Sequence, residues 1–177
     1  MPETTEPRFN AALVKRAAAA VKLAQKCHCT IVTAESCTGG LLAAVLSEAP
    51  GAGKQLQGGF VTYTKEQKTI ALGISRALLE RQSAVSEAVA RAMAEGALSR
   101  SIADLSVAVT GVAGPDRDED GNPVGLVHIA VARRSGHTLH QEHRFGAIGR
   151  AEVLHRTMMA ALDLLERCTS EQLRAAG

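Results

Sequence analysis

The chain has 177 residues, of which 46% are apolar, and its 20 basic and 18 acidic side chains leave a net charge of +2. These charges are scattered without a basic block, so the composition argues against a nucleic-acid-binding protein. Charges interrupt the apolar stretches every few residues, and the pattern therefore predicts neither a membrane span nor an export signal. We expect a cytoplasmic protein with one domain over residues 1–177, in which residues 1–8 form a flexible N-terminal tail.

In chain order, the residue pattern predicts helices over residues 10–26, 39–46, 65–72, 86–98, where Ser86 is the cap, and 149–167. It predicts strands over residues 30–34, 58–64, 105–110, 126–133 and 138–145. Small apolar residues recur at helical spacing in the first helix, whereas β-branched residues fill the strand after it. The last two strands alternate around a turn at Ser135 and Gly136, which predicts a hairpin. The fold class is therefore α/β, a single-domain mixed β-sheet covered by helices.

The cysteines of the chain are Cys27, Cys29, Cys37 and Cys168. Because the cytosol is mostly reducing, we expect free thiols rather than disulfides. Cys27 and Cys29 have one residue between them, and no second pair follows at the spacing of a zinc site. We therefore expect neither a metal nor a cofactor.

Residues 33–40, with the sequence Thr-Ala-Glu-Ser-Cys-Thr-Gly-Gly, lie where the first predicted strand meets a helix. Free backbone N–H groups at a helix N-terminus can hold an oxyanion or a phosphate, and glycines allow a substrate to approach closely. A structural interpretation is equally consistent with the spacing, because Ser36 or Thr38 can cap the helix while the glycines form a tight turn. The spacing alone leaves both interpretations open.

A second glycine-containing segment, residues 110–115, follows the strand over residues 105–110. Its backbone donors could hold a phosphate or a ribose, or its glycines could serve a turn. The acidic residues that follow, 116–122, begin like a calcium-binding loop, but Val127 stands where the twelfth position requires a glutamate. We predict a long, solvated loop over residues 111–125.

Several ordered segments carry a resemblance to a known family: residues 33–42, 50–51, 58–59, 61–63, 68, 72–73, 84–86, 93–94, 110–115 and 123–125. Together they resemble the CinA C-terminal domain family, the nicotinamide mononucleotide deamidases. The chain departs from the family at residues 116–122, where the family loop is usually glycine-rich, and at Leu154, where the family often has an arginine.

The resemblance implies hydrolysis of the carboxamide of nicotinamide mononucleotide, giving nicotinate mononucleotide and ammonia. It implies catalytic roles for Ser36 as nucleophile, Lys68 as base and Tyr63 as the accompanying tyrosine, because a serine attacking an amide needs a base. The residues expected to bind substrate are Glu35, Cys37, Thr38, Gly39, Gly40, Thr110, Gly111, Gly114 and Arg150. We expect no nucleic-acid or membrane partner, and a homodimer.

Three alternatives remain. Cys37 competes with Ser36, because a thiol at a helix N-terminus can have a low pKa. A non-catalytic module that binds nucleotides or proteins, linked to competence or DNA damage, would also fit the family name. A phosphoryl-transfer enzyme is the third, although Gln55 follows Gly53 and Lys54 where a P-loop needs serine or threonine.

Overall fold

The computed structural model describes residues 8–134, 136 and 138–176. The helices are α1 (Ala11–Lys26), α2 (Leu41–Ser47), α3 (Ala52–Gln55), α4 (Lys65–Leu72), α5 (Arg76–Gln82), α6 (Glu87–Ser99) and α7 (Arg150–Ala176). The strands are β1 (Ile31–Glu35), β2 (Leu56–Val61), β3 (Leu105–Gly111), β4 (Leu126–Arg133) and β5 (Leu139–Arg144). Ser135, in the predicted hairpin turn, and residues 1–7 of the predicted tail lie outside the described residues.

The strands of the described chain form one mixed sheet in the order β2-β1-β3-β4-β5. Strand β1 runs parallel to β2 and β3, whereas β3, β4 and β5 are antiparallel neighbours. All residues of β1 are buried, as expected for a parallel strand covered on both faces. The predicted α/β fold with a mixed sheet covered by helices is confirmed.

Two helical layers cover the sheet, and alternate residues of each strand point to one layer or the other. Val107 and Val109 belong to the cluster that α1, α2 and α7 complete, whereas Ala108 belongs to the cluster around α6. Branched side chains thus fill the space beneath α1 and α7, and alanines face α6. This division explains how a chain with few aromatic residues builds two well-filled layers.

The small side chains let α6 lie close to both the sheet and α4. Ala34, Ala108 and Ala130 form part of the sheet surface beneath α6. On the flank of α6, a Cβ atom added to Gly96 would lie 2.4 Å from the carbonyl oxygen of Leu72, the last residue of α4. Only glycine permits this approach, so Gly96 sets the distance between α4 and α6.

The boundaries of some elements differ from the predictions. Strand β2 begins and ends earlier than predicted. At its end the chain leaves the sheet after Val61, and the carbonyl of Thr62 accepts a hydrogen bond from Lys68 Nζ at 2.8 Å. Helices α3 and α5 were not predicted, since neither is long enough to show a clear apolar period. Ser86 caps α6 as predicted, accepting from the Val89 N–H at 3.3 Å.

The final helix also differs, because α7 extends through residue 176 rather than ending at residue 167. It alternates apolar and charged residues and packs its apolar side on β3 and β4. Within the residues described, no helix is both long and apolar enough to cross a bilayer.

A pair of histidines, the buried His128 and the partly buried His140, joins β4 to β5 beneath the N-terminus of α6. His128 Nδ1 lies 3.0 Å from His140 Nε2, and the other ring nitrogen of His140 lies 3.6 Å from the Glu87 carboxylate. Burial lowers the pKa of both histidines, and each is further affected by nearby charges, including Glu142. Both imidazoles therefore resist protonation in the folded protein.

We expect the free energy of unfolding to decrease as the pH falls from about 7.5 to about 5, because the unfolded chain then binds protons that the folded histidines resist. Above the ordinary histidine pKa of 6.5 both states are neutral at these positions, so the loss begins below that pH. Thermal unfolding measured across this pH range should show that His128→Gln loses less stability at acid pH than the wild type does. His28→Asn, at an exposed histidine, should retain the full loss; an equal effect of both variants would contradict the assignment.

Candidate active site

The segment between β1 and α2 forms a tight turn at the carboxyl end of the central parallel strands. The Ser36 N–H donates to the Val109 carbonyl at 3.0 Å, which ties the turn to β3, and the Gly39 N–H donates to the Ser36 carbonyl at 3.1 Å. Gly39 and Gly40 have φ values of +59° and +98°, which other residues adopt only with strain. Ser36 therefore lies at a fixed position where open α/β sheets commonly bind ligands.

The side chain of Glu35 is fully buried and fixes the start of α2. Its carboxylate accepts hydrogen bonds from the N–H groups of Gly40, Leu42 and Ala43 at 3.0, 3.0 and 2.8 Å, and from the Thr33 hydroxyl at 3.0 Å. A carboxylate is favoured at this position because the first N–H groups of a helix lack partners within the helix. Glu35 thus binds the two sides of the Ser36 turn together.

This geometry corrects part of the predicted set of substrate-binding residues. Glu35 cannot contact a substrate in the neighbouring cavity, because its side chain is fully buried and its oxygens are engaged by α2. Thr38 is 2% exposed, and Thr38, Gly39 and Gly40 do not line the cavity as it is formed by the described residues. The two glycines shape the turn, while Ser36 and Cys37 are the members of the motif that reach the cavity.

Lys68 is brought to Ser36 by the first turn of α4. Thr64 caps this helix by accepting from the Gln67 N–H at 3.1 Å, and the helix then directs Lys68 back toward the end of β2. Lys68 Nζ lies 2.9 Å from Ser36 Oγ and also hydrogen-bonds to the carbonyl oxygens of Thr62 at 2.8 Å and Tyr63 at 3.5 Å. A neutral amine that donates to both carbonyls can accept the remaining hydrogen bond from the Ser36 hydroxyl.

The environment of Lys68 favours that neutral form. Lys68 is 1% exposed, and burial lowers its pKa to about 8, with the positive charge of Lys65 acting in the same direction. A lysine with this pKa is neutral in a substantial fraction of molecules near neutral pH, as a general base must be. The Ser36–Lys68 pair can therefore transfer a proton.

Cys37 is a poor competitor for the role of nucleophile. It is 6% exposed, and burial raises the pKa of its thiol to about 12. The thiol therefore remains protonated at neutral pH, although it follows Ser36 directly in the chain. The Cys37 side chain packs in the hydrophobic cluster beside Ser36.

Tyr63 lies at the mouth of the cavity with 59% of its surface exposed. Its backbone carbonyl, not its hydroxyl, hydrogen-bonds to Lys68. Within the described residues no hydrogen bond joins the Tyr63 hydroxyl to Lys68 or Ser36. The ring of Tyr63 is therefore placed to contact a ligand in the cavity rather than the Ser36–Lys68 pair.

The backbone N–H groups that follow Ser36 are candidate donors to a ligand. In the part of the chain that the structure describes, those of Cys37 and Thr38 donate to no other residue, whereas those of Gly39 and Gly40 donate to Ser36 and Glu35. A donor immediately after an attacking hydroxyl can stabilise an oxyanion that develops next to it. Of the first two residues, Cys37 belongs to the cavity wall and Thr38 does not.

The cavity in front of Ser36 has a volume of about 670 Å³, and its far wall is the segment after β3. Gly111 and Gly114 line it, together with Arg150 from the start of α7, whose guanidinium donates to the Gly114 carbonyl at 3.0 Å. Thr110 also lines it, but its hydroxyl donates to the Ala84 carbonyl at 2.7 Å. Arg150 therefore adds positive charge to a wall built from backbone.

Sequence reasoning missed several residues of the cavity wall, namely Thr64, Lys65, Glu66, Ala84, Val85, Val112, Ala113, Asp116, Asp118, Glu119 and Asp120. The acidic loop is held by the protein itself. The Asp118 carboxylate accepts from the backbone and side-chain nitrogens of Asn122, and Asp120 contacts Lys65. Only the acidic composition of residues 116–122, noted from the sequence, could have signalled these contacts.

These features define an α/β protein in which a serine directly after strand β1 meets a buried lysine in a cavity. A family model described as the CinA C-terminal domain matches residues 14–169. The chain belongs to the CinA C-terminal domain family.

The relatives agree with this assignment. A CinA-like protein from Mycobacterium marinum is 45% identical over 141 residues, which cover 80% of this chain and 33% of the relative. A CinA-like protein from Gloeobacter violaceus is 45% identical over 152 residues, covering 85% of this chain and 35% of the relative. The chain thus spans about a third of the length of these curated relatives.

Among solved structures, the competence/damage inducible protein CihA from Agrobacterium tumefaciens is similar, with a TM-score of 0.86 and 42% identity. The match covers 90% of this chain and 96% of that chain. The arrangement of the strands and helices is therefore that of a known family of structures.

We expect Glu35→Gln to lower the free energy of unfolding by about 2 kcal/mol or more, because the amide nitrogen would face backbone donors that need acceptors. Denaturant unfolding of the variant and the wild type would measure the difference. Glu48→Gln, at an exposed residue just after α2, is the matched control and should change stability little. Equal stability of Glu35→Gln and the wild type would contradict the role assigned to Glu35.

Proposed function

We propose that this protein is an amidohydrolase that converts nicotinamide mononucleotide to nicotinate mononucleotide and ammonia through an acyl-enzyme on Ser36. The observation that carries the proposal is the 2.9 Å contact between Ser36 Oγ and the buried Lys68 Nζ inside a cavity. The choice of substrate rests on the family resemblance. The reaction belongs to the recycling of pyridine nucleotides.

In the first half of the reaction, neutral Lys68 takes the hydroxyl proton as Ser36 Oγ attacks the amide carbon. The carbonyl oxygen gains negative charge, and the N–H group of Cys37, which lines the cavity and donates to no other described residue, is the candidate donor to stabilise it. The C–N bond then breaks, and Lys68 returns its proton to the nitrogen, which leaves as ammonia. The nicotinoyl group remains as an ester on Ser36.

In the second half, a water molecule replaces the departed ammonia. Lys68, again neutral, takes a proton from the water as its oxygen attacks the ester carbon. The C–O bond to Ser36 breaks, and the proton on Lys68 goes to Ser36 Oγ. The products are the carboxylic acid, which releases its remaining proton to water and becomes the carboxylate, and the original enzyme.

The far wall of the cavity suits the phosphate end of a mononucleotide. Arg150 supplies a positive charge, and the N–H groups of Ala113 and Gly114 have no acceptor within the described residues. A guanidinium beside backbone donors is a common arrangement for binding phosphate. The cavity volume of about 670 Å³ falls in the range of pockets that hold ligands of this size.

The rate of amide hydrolysis should rise with pH, with a midpoint near pH 8. The reason is that Lys68 must lose its proton to act as a base, and burial lowers its pKa to about 8. Measuring kcat/KM for nicotinamide mononucleotide from about pH 6 to about pH 10 would test this. A flat profile, or a rate that falls through this range, would exclude Lys68 as the base.

We expect the wild type to release ammonia from nicotinamide mononucleotide in the presence of a chelator, and Ser36→Ala and Lys68→Ala each to lose about a thousandfold or more in kcat. Cys37→Ala should retain most of the activity, because the thiol is protonated and serves packing. The measurement is ammonia release by the four proteins, each shown to be folded by circular dichroism.

Each other outcome points to a different function. A folded but inactive wild type would support a non-catalytic binding module. Loss of activity with chelator would favour a metal-dependent phosphoryl-transfer enzyme. Loss of activity in Cys37→Ala with retention in Ser36→Ala would transfer the nucleophile to the thiol.

A further inference from the structure

Lys65 joins the helix that carries Lys68 to the acidic loop. It lies three residues before Lys68 on α4 and lines the same cavity. Lys65 Nζ lies 2.8 Å from a carboxylate oxygen of Glu119 and 2.8 Å from one of Asp120. Neither carboxylate was predicted to contact α4, and the mechanism described above does not use this ion pair.

Asp120 makes a second contact in addition to the one with Lys65. Its second carboxylate oxygen accepts from the Ala84 N–H at 3.3 Å, so one side chain connects the loop, α4 and the segment before α6. Among the described residues Glu119 pairs only with Lys65, and 72% of its side chain is exposed. The side chains of Lys65 and Asp120 are 34% and 27% exposed, so their contact is better shielded from water. Asp120 is therefore the stronger anchor of the loop.

The charge of Lys65 also reaches Lys68. Burial is the largest cause of the low pKa of Lys68; the Cys37 thiol opposes it, and the Lys65 charge lowers it further. The other titratable groups on the walls of the cavity are Tyr63, Glu66, Asp116, Asp118 and Arg150. Among the described residues, Lys65 is the other lysine of α4 that lines this cavity.

We propose that Lys65 is a positioning residue for amide hydrolysis, which fixes the acidic loop as a wall of the substrate cavity through Glu119 and Asp120 and places a positive charge in that wall, one helical turn from Lys68. This inference rests on the proposed function. It assigns a purpose to the acidic residues at 116–122, where the chain departs from the glycine-rich loop that the resemblance implies.

The pH profile separates this role from a general structural effect. In Lys65→Gln the midpoint of kcat/KM against pH should move to higher pH, because a neighbouring positive charge is lost. In Asp120→Asn the midpoint should move to lower pH, because Lys65 keeps its positive charge while the negative charge of Asp120 beside it is removed. KM for nicotinamide mononucleotide should rise several-fold in Asp120→Asn, and less in the matched variant Glu119→Gln.

Two further variants complete the test. Lys65→Arg keeps the positive charge and should keep the wild-type midpoint, and Lys22→Gln, at an exposed lysine of α1, should match the wild type throughout. An unchanged midpoint in Lys65→Gln would overturn the proposal, and a raised KM with an unchanged midpoint would make Lys65 a substrate contact instead. If Asp120→Asn fails to fold, Lys65→Gln decides alone. An inactive wild type would refute the amidase function itself, a distinct result.

Discussion

The buried carboxylate of Glu35 is the contact on which the geometry of the site depends. An uncompensated carboxylate in the protein interior would be strongly unfavourable, and here the first N–H groups of α2 and the Thr33 hydroxyl supply the compensation. In return, those N–H groups obtain the acceptor that the helix cannot give them. The chain between Glu35 and Gly40 is thereby closed into a loop with Ser36 at its start. The position of Ser36 at the edge of the cavity follows from that loop.

Lys68 presents the opposite electrostatic problem. A lysine amine surrounded by Thr62 and Tyr63 carbonyls has hydrogen-bond acceptors but no carboxylate partner in direct contact among the described residues. The neutral form of the amine is therefore more favourable here than it would be in water, and a general base must be neutral to accept a proton. The two buried side chains are complementary: Glu35 fixes the turn that carries Ser36, and Lys68 lies within hydrogen-bonding distance of the Ser36 hydroxyl.

The sequence predicted the fold class and most of the elements because β1 and β3 are short, strongly apolar runs and the long helices have clear caps. The turn at Ser36 was also visible, since two glycines follow a strand and precede a helix. Residue patterns could not show that Glu35 turns inward or that Lys68, rather than Lys65, is buried, because both lysines occupy the same short polar helix. The Lys65–Asp120 contact joins residues 55 positions apart and leaves no local pattern. The roles of Lys68 and Tyr63 came from family resemblance alone.

The geometry of the site also depends on Gly96, a residue outside the cavity. The absence of a side chain there lets the last turn of α4 rest against α6, and Lys68 lies one turn earlier on the same short helix. A methyl group at residue 96 would displace that helix as a unit, since a segment of two turns has little capacity to bend. The reach of the amine toward Ser36 is thus set by the spacing of two helices on the far side of the sheet from α2. Substitutions in the α4–α6 interface would then change the distance between Ser36 and Lys68 without altering any residue that touches the cavity.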